Sequence, residues 1–224
     1  MNRLRLIALF CAATCVAPVA ALAQPTGGTQ VGDPSATQPT ALPARDAILL
    51  GRTMHVRGTL SGAAGQTVVV ERREAGGDWQ PATTAIAAND DSFDATWTTD
   101  HIGHFQLRAH LQSTGDGSTA AAAAALPTSE ITVFRGALAT WFGPGFYGRR
   151  TACGQVMTHR LLGVAHRTLP CGTKVALLYK GRTITVPVVD RGPFANGASY
   201  DLTSATAEVL GMTQTSRIGA VRAS

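Results

Sequence analysis

The chain has 224 residues, a formal net charge of +5 and 15 % charged residues, room for one or two domains of ordinary size. The charge is unevenly divided: residues 24–135 hold seven Lys and Arg against eleven Asp and Glu, while residues 136–224 hold ten against three. A basic, exported half attracts polyanions such as cell-wall glycans or teichoic and lipid-borne phosphates. Its cations are not interleaved with an aromatic platform, which argues against nucleic acid.

In chain order, Arg3 and Arg5 precede an apolar run over residues 6–19, and Ala21-Leu22-Ala23 supplies a small-x-small cleavage site. This is the pattern of a secretory signal peptide over residues 1–23, cleaved after Ala23. The run is too short for a membrane span, so no stable membrane insertion is expected after cleavage. Cys11 and Cys15 lack the context of a lipid-modified cysteine, which argues against a lipoprotein. Residues 24–42 are rich in Pro, Gly, Thr, Ser and Gln and read as a disordered linker.

Residues 43–135 alternate with period two. Met54, Val56 and Leu60 alternate with His55, Arg57 and Thr59; Phe93, Ala95 and Trp97 with Asp94, Thr96 and Thr98; Phe105, Leu107 and Ala109 with Gln106, Arg108 and His110. Thr67 to Val70 is a β-branched run, and Ile131 and Val133 supply a last strand. Six or seven short strands at this spacing predict an antiparallel β-sandwich. In pattern the region resembles the immunoglobulin-like modules of bacterial surface proteins. Asn89-Asp90-Asp91 matches no calcium loop and reads as a turn, and residues 115–125 read as a loose surface loop.

The second domain, residues 136–224, opens with a strand at Leu138, Thr140 and Trp141, followed by a glycine-rich loop carrying Phe146 and Tyr147. Two strands over residues 174–179 and 182–189 meet at the turn Lys180-Gly181. A short helix over residues 203–210 has Thr203 as a plausible N-cap and Gly211 where the chain leaves in the left-handed conformation. Residues 218–221 give a final strand. With so little helix, the core must come from a small, closed β-structure. Cys153 and Cys171, 18 positions apart, are the two cysteines of the mature chain. In an exported protein they read as a disulfide, and closing that loop contributes roughly 3 kcal/mol in the chain-entropy model.

Val188-Val189-Asp190-Arg191-Gly192-Pro193-Phe194 is the most informative stretch. An apolar strand delivers one acid to a sharp turn, and from residue 136 onward the carboxylates are Asp190, Asp201 and Glu208 alone. Acid/base chemistry by a carboxyl group in this half therefore has three candidates. Asp190 could instead accept backbone N–H bonds at the turn, Asp201 could stabilise the following helix N-terminus, and Glu208 reads as a solvated helix side chain.

Five motifs in order resemble the rare lipoprotein A-like (RlpA-like) family over about residues 137–222. They are residues 141–152 (WFGPGFYGRRTA), 165–170 (AHRTLP), 172–175 (GTKV), Asp190-Arg191-Gly192-Pro193 and Asp201-Leu202. The resemblance implies a six-stranded double-psi β-barrel with one short helix, so that with the sandwich read from the strand pattern the whole chain is all-β. It also implies a peptidoglycan lytic transglycosylase acting on glycan strands, without metal or organic cofactor. Asp190 is then the acid/base and His166 orients it or stabilises charge. Gln155, Thr151, Tyr147, Arg191 and Asp201 are substrate contacts, and the Cys153–Cys171 disulfide supports the site. Tyr147 and Trp141 serve equally well as sugar platforms or as core. The family carries a glutamate where this chain has Gln155, and an amide cannot carry a proton at neutral pH. That departure keeps open a non-catalytic, expansin-like wall-binding module. A protein-directed inhibitor or effector is a further alternative.

Overall fold

The computed structural model describes residues 46–112, 127–194 and 197–223. The expected signal peptide, the linker and the loop at 115–125 lie outside them. Among the described residues no helix is long and apolar enough to cross a membrane. The strands are β1 (Ala47–Leu49), β2 (Thr53–Thr59), β3 (Thr67–Glu74), β4 (Gln80–Ile86), β5 (Ser92–Thr98), β6 (Gly103–Leu111), β7 (Ser129–Phe142), β8 (Val164–Ala165), β9 (Lys174–Tyr179), β10 (Arg182–Asp190), β11 (Tyr200–Thr203) and β12 (Ser216–Arg222). Among the described residues the one helix, α1, spans Ser204–Leu210.

The first half is built from two sheets. β1, β7, β6, β3 and β4 lie side by side, with β1 parallel to β7, and β2 pairs with β5. The alternation in β2, β5 and β6 puts every second residue inside. One cluster joins Val56 and Trp97 from the small sheet to Val70, Phe105, Leu107 and Ile131 from the large one. Trp97 and Phe105 meet edge to face at 6.5 Å, a pairing worth about 0.5–1.5 kcal/mol beyond burial. The Asn-Asp-Asp segment is a turn tied back to its neighbour: Asp91 accepts from the backbone N–H groups of Gly62 and Ala64 at 3.0 and 2.9 Å. β4 has no sequence signature because it lies at the sheet edge, carries Pro81 and buries little.

The second half is a closed ring. β11, β8, β10, β9, β12 and β7 pair in that order, and β7 pairs again with β11. The β10–β8 and β11–β7 pairs are parallel and the other four antiparallel. This is the expected six-stranded barrel. Val164, Val175, Leu177, Val186, Val188, Leu202 and Ile218 fill it, and α1 adds Ala207 and Leu210. The helix forms where expected: the Thr203 side chain accepts from Thr206 N–H, and Gly211 leaves with φ 71. The β9–β10 hairpin turns on Lys180 (φ 47) and Gly181 (φ 80), the two left-handed positions of a tight hairpin turn.

The sequence predicts two strands on either side of residue 136. The structure has one. β7 pairs with β6 through Ile131 and Val133, with β12 through Arg135 to Ala139, and with β11 through Ala139 to Phe142. Gly136 does not interrupt it because it sits opposite Gly219 in the β12 ladder. A Cβ at Gly219 would lie 2.7 Å from Phe134 Cβ, so only glycine lets the two strands approach there. Phe134, Ala176 and Val221 pack with Ala47, Leu49 and Leu178, an apolar seam that joins β1 to barrel strands β9 and β12.

Candidate functional site

The site is built across the barrel wall. Ala165 of β8 is in register with Asp190 of β10 on one side and Asp201 of β11 on the other, and Asp201 is in register with Thr140 of β7. Directly opposed residues share a face of a sheet, so these four form one row. Val188, Val164 and Leu202, one step back, belong to the core; the row lies on the opposite face. An irregularity between Val188 and Asp190 absorbs Val189 and re-aims the acid at the end of its strand. Two strand spacings separate the backbones of Asp190 and Asp201, about 10 Å.

Asp190 Oδ1 accepts from Ala152 N–H and from Arg191 N–H, both at 2.8 Å. One oxygen is thus pinned at the turn, and among the described residues Oδ2 accepts no hydrogen bond. His166 follows Ala165, and its N–H donates to the Asp190 carbonyl at 3.2 Å. The His166 Nδ1 accepts from Thr168 N–H at 3.2 Å and Leu169 N–H at 3.0 Å. The neutral ring therefore carries its proton on Nε2. Burial, then the charges of Arg167 and Arg191, lower its pKa below the ordinary 6.5, so at neutral pH it is an uncharged N–H donor. Its ring leans on Tyr200, 5.0 Å between centroids.

Asp201 accepts from Thr140 Oγ1 at 2.6 Å. Burial raises its pKa above the ordinary 3.8, Thr140 works against this, and the charge of Asp190 adds to the rise. Like charges on one wall disfavour ionisation of the more buried acid. The expectation that Asp201 stabilises the helix N-terminus is not met. Asp201 lies in β11, and Thr203 is the cap.

A family model described as lytic transglycolase, of the double-psi β-barrel type, matches residues 135–223. The probable endolytic peptidoglycan transglycosylase RlpA of Synechocystis sp. is 44 % identical over 84 residues, which cover 37 % of this chain and 26 % of that protein. The endolytic peptidoglycan transglycosylase RlpA of Campylobacter jejuni is 43 % identical over 77 residues, covering 34 % of this chain and 28 % of that one. The barrel is an RlpA-like domain. The chain spans about a quarter of the length of these two relatives. Among solved structures, a Streptomyces papain inhibitor is 27 % identical with a TM-score of 0.30, where 38 % of this chain covers 92 % of it, a likeness too loose to bear on function.

Within the RlpA-like barrel the remaining expected residues separate. Gln155 sits beside the row, with its amide nitrogen donating to Val189 O at 3.3 Å, Cys153 O at 3.2 Å and Thr151 Oγ1 at 3.1 Å. Three acceptors surround that nitrogen. A carboxylate placed there would face two carbonyl oxygens, whereas an amide satisfies them at any pH. Arg191 is occupied by the protein: its guanidinium donates to Leu169 O at 2.9 Å and His166 O at 3.3 Å, and lies 3.2 Å from Cys171 Sγ. It holds the His166 loop. The Cys153–Cys171 bridge is formed, with Cα atoms 5.6 Å apart, and ties the loop carrying Gln155 to the loop carrying His166. Tyr147 is half-buried, stacks on His159 at 3.7 Å and shares a hydrogen bond with Ser204 Oγ at 3.0 Å. It packs more than it projects. Trp141, Phe146 and Phe194 are the exposed aromatics of this half, and Glu208 is solvated.

Sequence reasoning missed two positioning groups in the RlpA-like barrel. Arg167 donates through one nitrogen to Pro193 O at 2.8 Å and Ala198 O at 3.0 Å, mirroring Arg191 across the two loops. Thr140 sets Asp201. The signal for Arg167 was its place inside the 165–170 motif; Thr140 had none, since its partner lies 61 residues away. Among the described residues no group of three His, Cys, Asp or Glu is placed to hold a metal ion.

Proposed function

We propose that this is an exported cell-wall enzyme, a peptidoglycan lytic transglycosylase that cuts MurNAc–GlcNAc bonds. The observation that carries the reading is the row Asp190–Ala165–Asp201 with His166 beside it. Two carboxyl groups lie on one face, on either side of Ala165. The relatives are named as peptidoglycan transglycosylases, and peptidoglycan lies outside the cytoplasm, in keeping with the secretory start of the sequence.

Lytic cleavage consumes no water. The C1–O4 bond breaks, its electron pair goes to O4, and O4 takes a proton from a carboxyl group. The C6 hydroxyl of the same muramyl residue attacks C1 and returns its proton to that carboxylate, closing a 1,6-anhydro ring. Asp201, whose surroundings raise its proton affinity, suits the proton carrier. Asp190, pinned at one oxygen, faces the cation-like C1, and His166 Nε2–H donates to a substrate oxygen. This divides between two aspartates the work that the sequence assigned to Asp190 alone. In this scheme no proton transfer is asked of position 155, where Gln155 serves as a hydrogen-bond donor within the loop.

The test is digestion of purified sacculi, with anhydro-muropeptides read by mass spectrometry. The wild type releases them. Asp190→Asn and Asp201→Asn each lose about 10²–10⁴-fold, the usual range for proton-transfer groups. Activity falls as pH rises through the folded pKa of Asp201, which lies above 3.8, and falls again as pH drops through the folded pKa of His166, which lies below 6.5. Binding without any anhydro product would overturn the enzymatic reading. Full activity in Asp201→Asn with none in Asp190→Asn would return the proton to Asp190.

A further inference from the structure

The barrel shares with the sandwich a cavity that lies beside the acidic row; His166 lines it, Asp190 and Asp201 do not. This cavity of about 570 Å³ opens between the two halves, with His166 and Tyr200 in its barrel wall and Glu74 and Ile102 in its sandwich wall. That volume falls within the roughly 300–1,000 Å³ of small-molecule sites. His166, beside the acidic row, therefore also faces the sandwich, with Tyr200 against its ring. The walls are held together by β7, which is continuous through both halves, and by the apolar seam beneath it. A third tie crosses directly: His104 Nε2 donates to Arg222 O at 3.2 Å, while its Nδ1 lies 3.0 Å from Thr132 Oγ1.

The charges of this cavity are not spent on one another. Arg135 and Arg222 line its barrel side and Glu74 its sandwich side, and among the described residues none of the three forms a salt bridge. Two guanidinium groups against one acid favour a singly charged anion. The planar fork of arginine matches a carboxylate in particular. Glu74 opposes a doubly charged phosphate and can accept from hydroxyl or amide groups. Ile102 and the Tyr200 ring offer apolar surface for the body of a sugar or short peptide.

We propose that this cavity is a substrate subsite for a carboxylate carried by the glycan strand, with Arg135 and Arg222 as its counter-charges and the sandwich as its second wall. The carboxylate is either the free lactyl group of a muramyl residue or an acid of a peptide attached to it. The proposal rests on the functional reading above and makes the sandwich part of substrate recognition.

Calorimetry on the full chain, carrying Asp190→Asn to prevent turnover, compares three tetrasaccharides. One is a peptide-free muramyl glycan, one the same glycan with its peptides, and one neutral chitotetraose. At least one anionic probe binds about tenfold or more tighter than chitotetraose, and the stronger of the two names the source of the carboxylate. In the further variant Arg135→Gln/Arg222→Gln that preference disappears while chitotetraose affinity stays. Ile102→Trp, which fills the cavity from the sandwich side, weakens the preferred probe with an unchanged unfolding temperature. Equal affinity for all three probes, or a preference that survives loss of both arginines, overturns the subsite. Anhydro products from wild-type protein without any anionic preference would sink the subsite alone, whereas a preserved preference without products would sink the activity alone.

Discussion

The sandwich and the barrel are both all-β, yet they are specified differently. In the sandwich, β2, β5 and β6 each declare an inside and an outside by alternation, and every pair but β1–β7 is an antiparallel ladder. In the barrel, ring closure depends on β7 pairing with β11 some sixty residues later and on β8, a strand of two residues. The acidic half presents ion pairs on its surface, such as Arg57–Asp94 at 2.8 Å; the basic half sets two of its three acids on one wall. The contrast teaches that repeated local pattern builds a scaffold, while non-local closure brings chemistry together.

The sharpest way to break this contrast is to ask whether the halves unfold separately. β7 runs through both, so a lesion in the sandwich core should melt the barrel too. Phe105→Ala, at a fully buried site, is expected to cost about 3–5 kcal/mol. It should lower a single transition seen alike by near-ultraviolet dichroism and by loss of sacculus digestion. Two separated transitions would show that the halves are energetically independent.

Removing the bridge addresses the barrel alone. Cys153→Ala/Cys171→Ala frees an 18-residue loop and should cost roughly 3 kcal/mol, read as a lower denaturant midpoint. Digestion should suffer as well, since the bridge ties the Gln155 and His166 loops. An unchanged midpoint would assign those loops to the two arginines.

Smaller effects lie in the site itself. For Asp201 the folded pKa is raised, so its contribution to stability is whole below 3.8 and is lost as pH rises through the folded value. Asp201→Asn cannot ionise and still accepts from Thr140. It should melt higher than wild type at pH 7.5, with the gap closing toward pH 4, even as activity is lost. For His166 the sign is opposite: its folded pKa is lowered, and the stability it lends above 6.5 is lost as pH falls through that value. Gln155→Glu puts an acid against Val189 O and Cys153 O. It should cost about 1–3 kcal/mol once ionised, so its unfolding temperature drops more at pH 8 than at pH 5. The smallest change is Thr203→Ala, which removes the cap of α1 at about 1 kcal/mol.

Much of the site was legible because its motifs are short and local. Asp190 at a strand end, His166 in its loop, the cysteine pair and the capped helix were each visible within a few residues. That Arg191 braces the His166 loop was not legible, because a charged residue beside a candidate acid looks the same in sequence whether it points to substrate or to backbone carbonyls. Asp201 was misread because three residues before a helix is a plausible capping neighbourhood until β11 is seen to occupy it.

The amino-acid order by itself determined the strand periodicity, the charge division, the crosslink and the short roster of acids, since each depends on side chains close along the chain or on composition. Only the folded molecule decided that Asp190 and Asp201 share one wall, that β7 crosses the presumed boundary and that the sandwich closes a cavity beside His166. Those are matters of register between distant strands, where a shift of one residue turns every side chain to the other face.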